Sequence, residues 1–253
     1  MSAPKGLGGD RVPGRRAVRE LLAAGKRPVR TVWIADGQDK SALLDEIVEL
    51  AAASGANVRF VDAERVRTEA HSDVPQGVVA QAAPVEAVAL GDLAKNPAAF
   101  LVVLDGVTDP RNLGAVLRVA ENAGATGAML PRHRSASLTP AAVKAAAGAI
   151  EHLPIALVGG VPAALEQLAR AGVWTVGLDA DADASVFELT VADGPVALVL
   201  GAEGRGLSRL ASQRCDVLAA IPRHGHVESL NVAAAAAVAC FEVARRRSSS
   251  ATQ

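Results

Sequence analysis

The sequence predicts an α/β protein built on a mostly parallel sheet. Two apolar runs carry that expectation: FLVVLDGV at 100–107 and PVALVLG at 195–201. Unbroken hydrophobicity over six to eight residues belongs to strands buried on both faces. Segments with apolar residues three and four apart alternate with such runs, as crossover helices do. Composition supplies the third observation. Half of the 253 residues are hydrophobic, yet aromatics make up only 2%. The core must therefore be close-packed from alanine, valine and leucine.

Residues 1–13 carry glycine, proline and charge and read as a disordered lead. A helix starts at Arg15, with Ala17, Val18, Leu21 and Leu22 on one face and Gly25 as its stop. VRTVWIAD (29–36) reads as a strand. SALLDEIVELAAASG (41–55) reads as an amphipathic helix, with Leu43, Leu44, Ile47, Val48 and Ala51 in register and Gly55 at its end. A strand (57–62), a short helix (63–70) and a strand (77–83) complete a first domain, 14–83. Pro84, Gly91, Asn96 and Pro97 mark 84–98 as a linker. A second domain, 99–247, begins with the strand at 100–107. It continues with a helix ended by Gly124, a strand at 127–130 and a helix entered through Thr139 with Pro140 next. A helix (161–172), two strands (173–179, 195–201) and a final helix (230–246) follow. Residues 248–253 read as a disordered tail, and no internal repeat is evident.

The formal charge is −1, from 26 basic and 27 acidic side chains. No global field draws this chain to a polyanion, although a local basic patch is allowed. Cys215 and Cys240 form neither a disulfide framework nor a zinc spacing and read as small buried hydrophobes. No apolar leader opens the sequence, and no run approaches the roughly 20 residues of a membrane span. A soluble, cytoplasmic protein is expected.

Three loops concentrate the polar chemistry, each positioned to follow a buried strand. In DGVTDPRNLGAVLRVAENAG (105–124), Asn112 is a candidate helix cap and Arg118 projects from the first turns of the helix. In LVLGAEGRGLS (198–208), the order G-x-x-G-x-G reverses the dinucleotide fingerprint, and no Gly-Lys-Ser/Thr follows. Glu203 inside that loop suits a ligand carrying positive charge or hydroxyls rather than phosphates. In IPRHGHVESLN (221–231), Ser229 or Asn231 can cap the helix that follows. Ser229 with His226 and Glu228 suggests a hydrolase, but the G-x-S-x-G elbow is absent. His224 and His226 have no third ligand at suitable spacing, so no metal is expected. The run Ala233–Ala237 then permits a helix very close to other backbone, pinning the polar loop against its neighbours.

Together these segments resemble the three motifs of the SpoU (TrmH-like) branch of the SPOUT RNA 2′-O-ribose methyltransferases. NLGAVLR matches the first, LVLGAEGRGLS the second, and IPRHGHVESLNVAAAAAVACFE the third. PGRRAVRELLAAG and VPQGVVA (74–80) resemble parts of the small, ribosomal-protein L30e-like substrate domain of the 23S rRNA guanosine-2′-O-methyltransferases. The resemblance implies an α/β domain whose C-terminal segment threads a trefoil knot, a rare exception to unthreaded folds. It implies S-adenosyl-L-methionine as cofactor and a homodimer with the last helix in its interface. It implies that Gly201, Ile221 and Leu230 hold the cofactor through backbone groups, and that Asn112, Glu203, Ser229 and Asn231 shape the site. Arg118 is implied as the principal catalytic residue.

An arginine is a poor base, so Arg118 is expected to orient the 2′-hydroxyl and stabilise developing alkoxide charge. Arg11, Arg15, Arg16, Arg19, Lys26, Arg27 and Arg30, with Arg132, His133 and Arg134, are expected to meet RNA phosphates. Three other readings stay open: a tRNA ribose as target, a non-catalytic RNA-binding module, and a nucleotide-dependent oxidoreductase.

Overall fold

The computed structural model describes residues 6–39, 41–71, 75–133, 135–226 and 229–250. Arg134 and Glu228, singled out above, lie outside the described residues.

The N-terminal unit is a four-stranded mixed sheet with three helices. Its strands are β1 (Arg11–Pro13), β2 (Val29–Ala35), β3 (Asn57–Val61) and β4 (Val78–Ala82), in the order β1-β4-β2-β3. β2 and β3 run parallel, and β4 is antiparallel to both β1 and β2. Helix α1 (Arg15–Ala24) buries Ala17, Val18, Leu21 and Leu22, and Gly25 closes it at φ 60°. In α2 (Ala42–Ala53), the Ser41 hydroxyl caps by accepting from Leu44 N, and in α3 (Ala63–Ala70) the Asp62 carboxylate accepts from Arg65 N.

The lead departs from its sequence reading, because residues 6–13 are structured. Val12 is fully buried and pairs with Ala80, while Leu7 N donates to Val85 O and Gly9 N to Leu138 O, both at 2.9 Å. A three-residue strand is too short to show a period. Its order comes from β4 and from a loop of the other domain. The linker reading also changes. Residues 90–94 form α4 (Leu90–Ala94), whose Leu90, Leu93 and Ala94 are buried in the C-terminal core.

The C-terminal unit is a seven-stranded, wholly parallel sheet. In chain order it comprises β5 (Phe100–Asp105), α5 (Pro110–Asn122), β6 (Gly127–Pro131), α6 (Pro140–Ala146), β7 (Ile155–Val158), α7 (Val161–Arg170) and β8 (Trp174–Leu178). It ends with β9 (Ala184–Ser185), β10 (Val196–Gly201), α8 (Arg209–Arg214), β11 (Val217–Ala220) and α9 (Val232–Ser250). The strand order is β7-β6-β5-β10-β8-β11-β9. β5 and β10, the two apolar runs of the sequence, are buried neighbours at its centre. α8 and the strands β7, β9 and β11 were not legible beforehand; the strands have four residues or fewer and α8 spans fewer than two turns.

The tail reading is corrected too. α9 continues through residues 248–250, with the Ser248 and Ser249 hydroxyls donating to Ala244 O and Arg245 O at 2.9 and 3.0 Å. Arg247 anchors this end. Its guanidinium donates to Ala98 O, Ala99 O and Gly194 O at 3.0, 2.8 and 2.6 Å and lies 5.3 Å from the Phe100 ring centroid. Upstream, Ala236, Ala239 and Cys240 are fully buried, and the helix packs against α5. Small side chains allow that approach, as the alanine run suggested.

The apolar core is continuous across the two units, joining Val12 and Val18 to Ala142 and Val143. A buried ion pair crosses the same boundary. Arg27 donates to both Glu151 oxygens at 2.9 and 2.6 Å, to Gly9 O at 3.0 Å, and to Ala83 O. Its side chain is 9% exposed and that of Glu151 2%. His152 and Glu20 add a second link at 3.0 Å. Among the described residues, no helix is long and apolar enough to cross a membrane.

Candidate functional site

From β5 the chain builds outward through β6 and β7, then returns to build β8, β11 and β9 on the other flank. The direction reverses at β5 and β10, and the crevice at their carboxyl ends is where an open α/β sheet binds ligands. Beside that switch point, a cavity of about 720 Å³ lies at the carboxyl ends of β10, β8 and β11, a volume suited to a small organic molecule.

The loop after β10 forms its floor. Ala202 and Gly206 exchange backbone hydrogen bonds of 2.9 and 2.8 Å, closing a tight turn through Gly204 and Gly206 at positive φ. A Cβ on Gly201 would drive into the backbone of Gly206 and Leu207, so only glycine fits. Asp105, at the end of β5, accepts from Ser208 N at 2.7 Å and ties this loop to the first motif. Ser208 in turn caps α8.

The three motifs meet at one side chain. Asn231 Nδ2 donates to Asn112 Oδ1 at 3.1 Å and to Glu203 Oε1. Asn231 Oδ1 accepts from Ala233 N at 2.9 Å, opening α9. Asn231, rather than Ser229, thus caps the last helix. Asn112 does not cap α5 as expected. Asp109 does so by accepting from Arg111 N at 2.8 Å, with Pro110 at the first position. That leaves the Asn112 amide available to the site.

Gly201, Glu203, Ile221, Ser229 and Leu230 line the cavity, and Asn112 and Asn231 tie its loops together. Arg118 is not brought to it. Six residues beyond Asn112 on α5, it lies about 9 Å further along the axis and on a different face. There it lines clefts between the two units. The loop after β8 supplies residues the sequence reading missed. Asp179, Ala180 and Asp181 join the cavity wall with Arg223 from the segment after β11, and Arg223 Nη2 donates to Ala180 O at 2.9 Å. Asp179 directly follows β8, much as Asp105 ends β5, and that parallel was the available signal. Among the described residues, no group of three or more His, Cys, Asp or Glu is placed to hold a metal ion.

Leu178, Leu200, Ile221 and Leu230 give the cavity apolar walls, while Asp179, Asp181 and Glu203 add carboxylates and the glycine floor admits a flat ring close to backbone. This donor set fits S-adenosylmethionine, which combines a purine, a ribose diol and a sulfonium cation.

Comparison with known proteins agrees with that fit. The model of the SpoU rRNA Methylase family matches residues 99–241, and that of RNA 2′-O ribose methyltransferase substrate binding matches residues 11–88. The chain is 37% identical over 243 residues to the putative TrmH family tRNA/rRNA methyltransferase YacO of Bacillus subtilis, covering 94% of this chain and 96% of that one. It is 37% identical over 244 residues to the 23S rRNA (guanosine-2′-O-)-methyltransferase RlmB of Pseudomonas putida, covering 94% and 97%. Among solved structures, the SpoU methyltransferase AviRb of Streptomyces viridochromogenes, in complex with the cofactor AdoMet, superposes with a TM-score of 0.79. Its identity is 26%, over 94% of this chain and 90% of that one. With both of its units matched in this order, the chain belongs to the SpoU rRNA methylase family.

Proposed function

We propose that this protein is an S-adenosylmethionine-dependent 2′-O-ribose methyltransferase whose substrate is a guanosine of 23S rRNA. The observation that carries the reading is the junction of Asn112, Glu203 and Asn231 beside a glycine-floored cavity at the carboxyl ends of β8, β10 and β11. The 23S target follows the relatives named for it, which align over nearly the whole chain. A tRNA ribose is disfavoured, because those relatives cover 94–95% of this chain, whereas a solved structure named for 2-OH methylation on tRNA covers 61% of it.

The backbone around Gly201, Ile221 and Leu230 would hold the donor, and Glu203, Ser229 and Asn231 would keep its loops in place. Bound there, the sulfonium supplies an electrophilic methyl group. Arg118 orients the 2′-hydroxyl and stabilises the charge that develops as its proton leaves. The C-terminal segment 221–231, bonded to the 201–207 loop through Asn231 and Glu203, is read as threaded through a knot. Because Arg118 does not line the donor cavity of its own chain, the reacting ribose is placed between two copies of a cytoplasmic homodimer. The exposed apolar residues Leu230 and Phe241 at α9 suit that interface.

The test is Arg118→Ala. Calorimetry should show donor binding retained while methyl transfer to 23S rRNA transcripts falls at least about a hundredfold. Undiminished transfer would remove Arg118 from the chemistry. Ribose-methylation mapping of total RNA with and without the gene identifies the nucleotide.

A further inference from the structure

Two clefts open where α1 of the N-terminal unit faces α5 and α6. The larger, about 730 Å³, is walled by Arg15, Arg16, Gln38, Gln76, Arg118 and Lys144. The smaller, about 300 Å³, is walled by Arg16, Glu20, Arg118, Glu121, Asn122 and His152. Arg16 and Arg118 belong to both. They come from different units and lie 102 positions apart in the sequence.

The basic residues of the first domain have divergent fates. Arg11 pairs with Glu69 at 3.0 Å, Arg19 with Glu20 and Glu46 at 2.6 and 2.9 Å, and Arg27 with Glu151. These charges are compensated internally. Among the described residues, Arg15 donates only to neutral acceptors, including Gln76 O at 3.3 Å and Ser41 Oγ at 3.4 Å. Arg16 and Arg118 are exposed, and their guanidiniums have no hydrogen-bond or ion-pair partner among the described residues. The acidic groups of the smaller cleft make no ion pair with either arginine among the described residues. Glu20 is held by Arg19 and His152, and Glu121 accepts from Asn122 at 3.0 Å.

Three guanidiniums without carboxylate partners therefore face one crevice. Their mutual repulsion is relieved by an anion, and a phosphodiester offers each guanidinium a two-oxygen edge. The buried Arg27–Glu151 pair and the shared core fix the spacing between α1 and α5. We propose that Arg16 and Arg118 grip one phosphodiester of the RNA substrate between the two units, with Arg16 as a positioning residue that sets which ribose reaches the reacting arginine. The proposal rests on the RNA methyltransferase reading and adds to it a specific binding cleft.

The test uses the full-length protein, a 23S rRNA transcript it methylates, and Arg16→Ala, Arg16→Lys and Arg118→Ala variants. Arg16→Ala should raise KM for RNA about tenfold and lower the slope of log affinity against log salt by about one, with donor affinity unchanged. Arg16→Lys should restore the salt slope but not the full KM, because an ammonium cannot present two parallel donors. In RNA binding, the double Arg16→Ala/Arg118→Ala variant should lose less than the sum of the single losses, as residues sharing one phosphate must. Unchanged KM and salt slope in Arg16→Ala, or strictly additive losses, would overturn the shared grip. Failure of the unmodified protein to methylate any RNA would instead refute the underlying activity.

Discussion

Asn231, at the start of the last helix, donates a 3.1 Å hydrogen bond to Asn112, 119 positions earlier in the chain. One side chain thereby caps α9, reaches the first motif and meets Glu203 of the second. Its two functions are separable by substitution. Asn231→Ala removes cap and junction together and should cost about 1–2 kcal/mol of stability along with donor binding. Asn231→Asp keeps the capping oxygen but sets a carboxylate against Glu203. It should retain most of the thermal stability and still lose donor affinity in calorimetry. Equal melting losses in the two variants would show that the cap contributes nothing.

Gly201 and Gly114 are predicted to be intolerant of a single methyl group. At Gly201 the added carbon meets backbone of the glycine turn; at Gly114 it meets Ala142 O, where α5 crosses α6. Backbone cannot swing aside as a side-chain end can, so each alanine variant should lose about 1–3 kcal/mol or more. The two should differ in kind. Gly201→Ala should abolish donor binding, whereas a Gly114→Ala protein that folds should still bind the donor, more weakly. Retention of full donor affinity by Gly201→Ala would show that the turn is not the floor of the site.

The Arg27–Glu151 pair is predicted to hold the two units in register. Removing either partner leaves a buried charge uncompensated, and Arg27→Ala or Glu151→Ala should each destabilise by about 3–5 kcal/mol. Replacing both, as Arg27→Met with Glu151→Leu, should recover most of that loss in chemical denaturation. If the double variant were as unstable as the singles, the hydrogen bonds from Arg27 to Gly9 O and Ala83 O would be the larger contribution.

Stability should fall on the acid side through two carboxylates. Hydrogen bonds from Arg245, both 2.8 Å, hold Glu242 below the usual carboxylate range against the opposing effect of burial. For Glu20, burial acts to raise the value, but hydrogen bonds with His152 and Arg19 outweigh it and hold the group low as well. A lowered folded-state value stabilises above the unfolded value of about 4.3 and is lost as pH falls through the folded one. Circular-dichroism melts from pH 7 to 3 should therefore show a shallower acid limb for Glu242→Gln than for the parent. Parallel limbs would exclude Glu242 as a contributor.

Both cysteines should be inert in the folded protein. Burial pushes the Cys215 thiol up to about 12, aided by Asp216 and Asp105, and burial alone takes Cys240 to about 12. Thiolate is the reactive form. A colorimetric thiol reagent at pH 8 should register negligible thiol until urea unfolds the chain, then two per molecule. Rapid native-state labelling would contradict this.

The sequence by itself determined the class of fold, the faces of α1 and α2, the cap at Thr139, and the three motifs whose side chains meet at Asn231. Those features are local: an apolar period, a capping oxygen or a glycine demanded by the turn is written within about ten residues. Tertiary structure alone decided the rest. Leu7 and Val12 are ordered because β4 and Leu138 lie beside them, and Arg247 is fixed by carbonyls some 50 and 150 positions away. Whether a given arginine is neutralised, as Arg11 and Arg27 are, or left facing a cleft, as Arg16 is, depends on which acidic side chain folding brings opposite it. The same holds for Asp179 and Arg223, which become cavity wall only when β8 and β11 pair. Charge pairing and strand adjacency are set by distances in space, and no spacing along the chain encodes them.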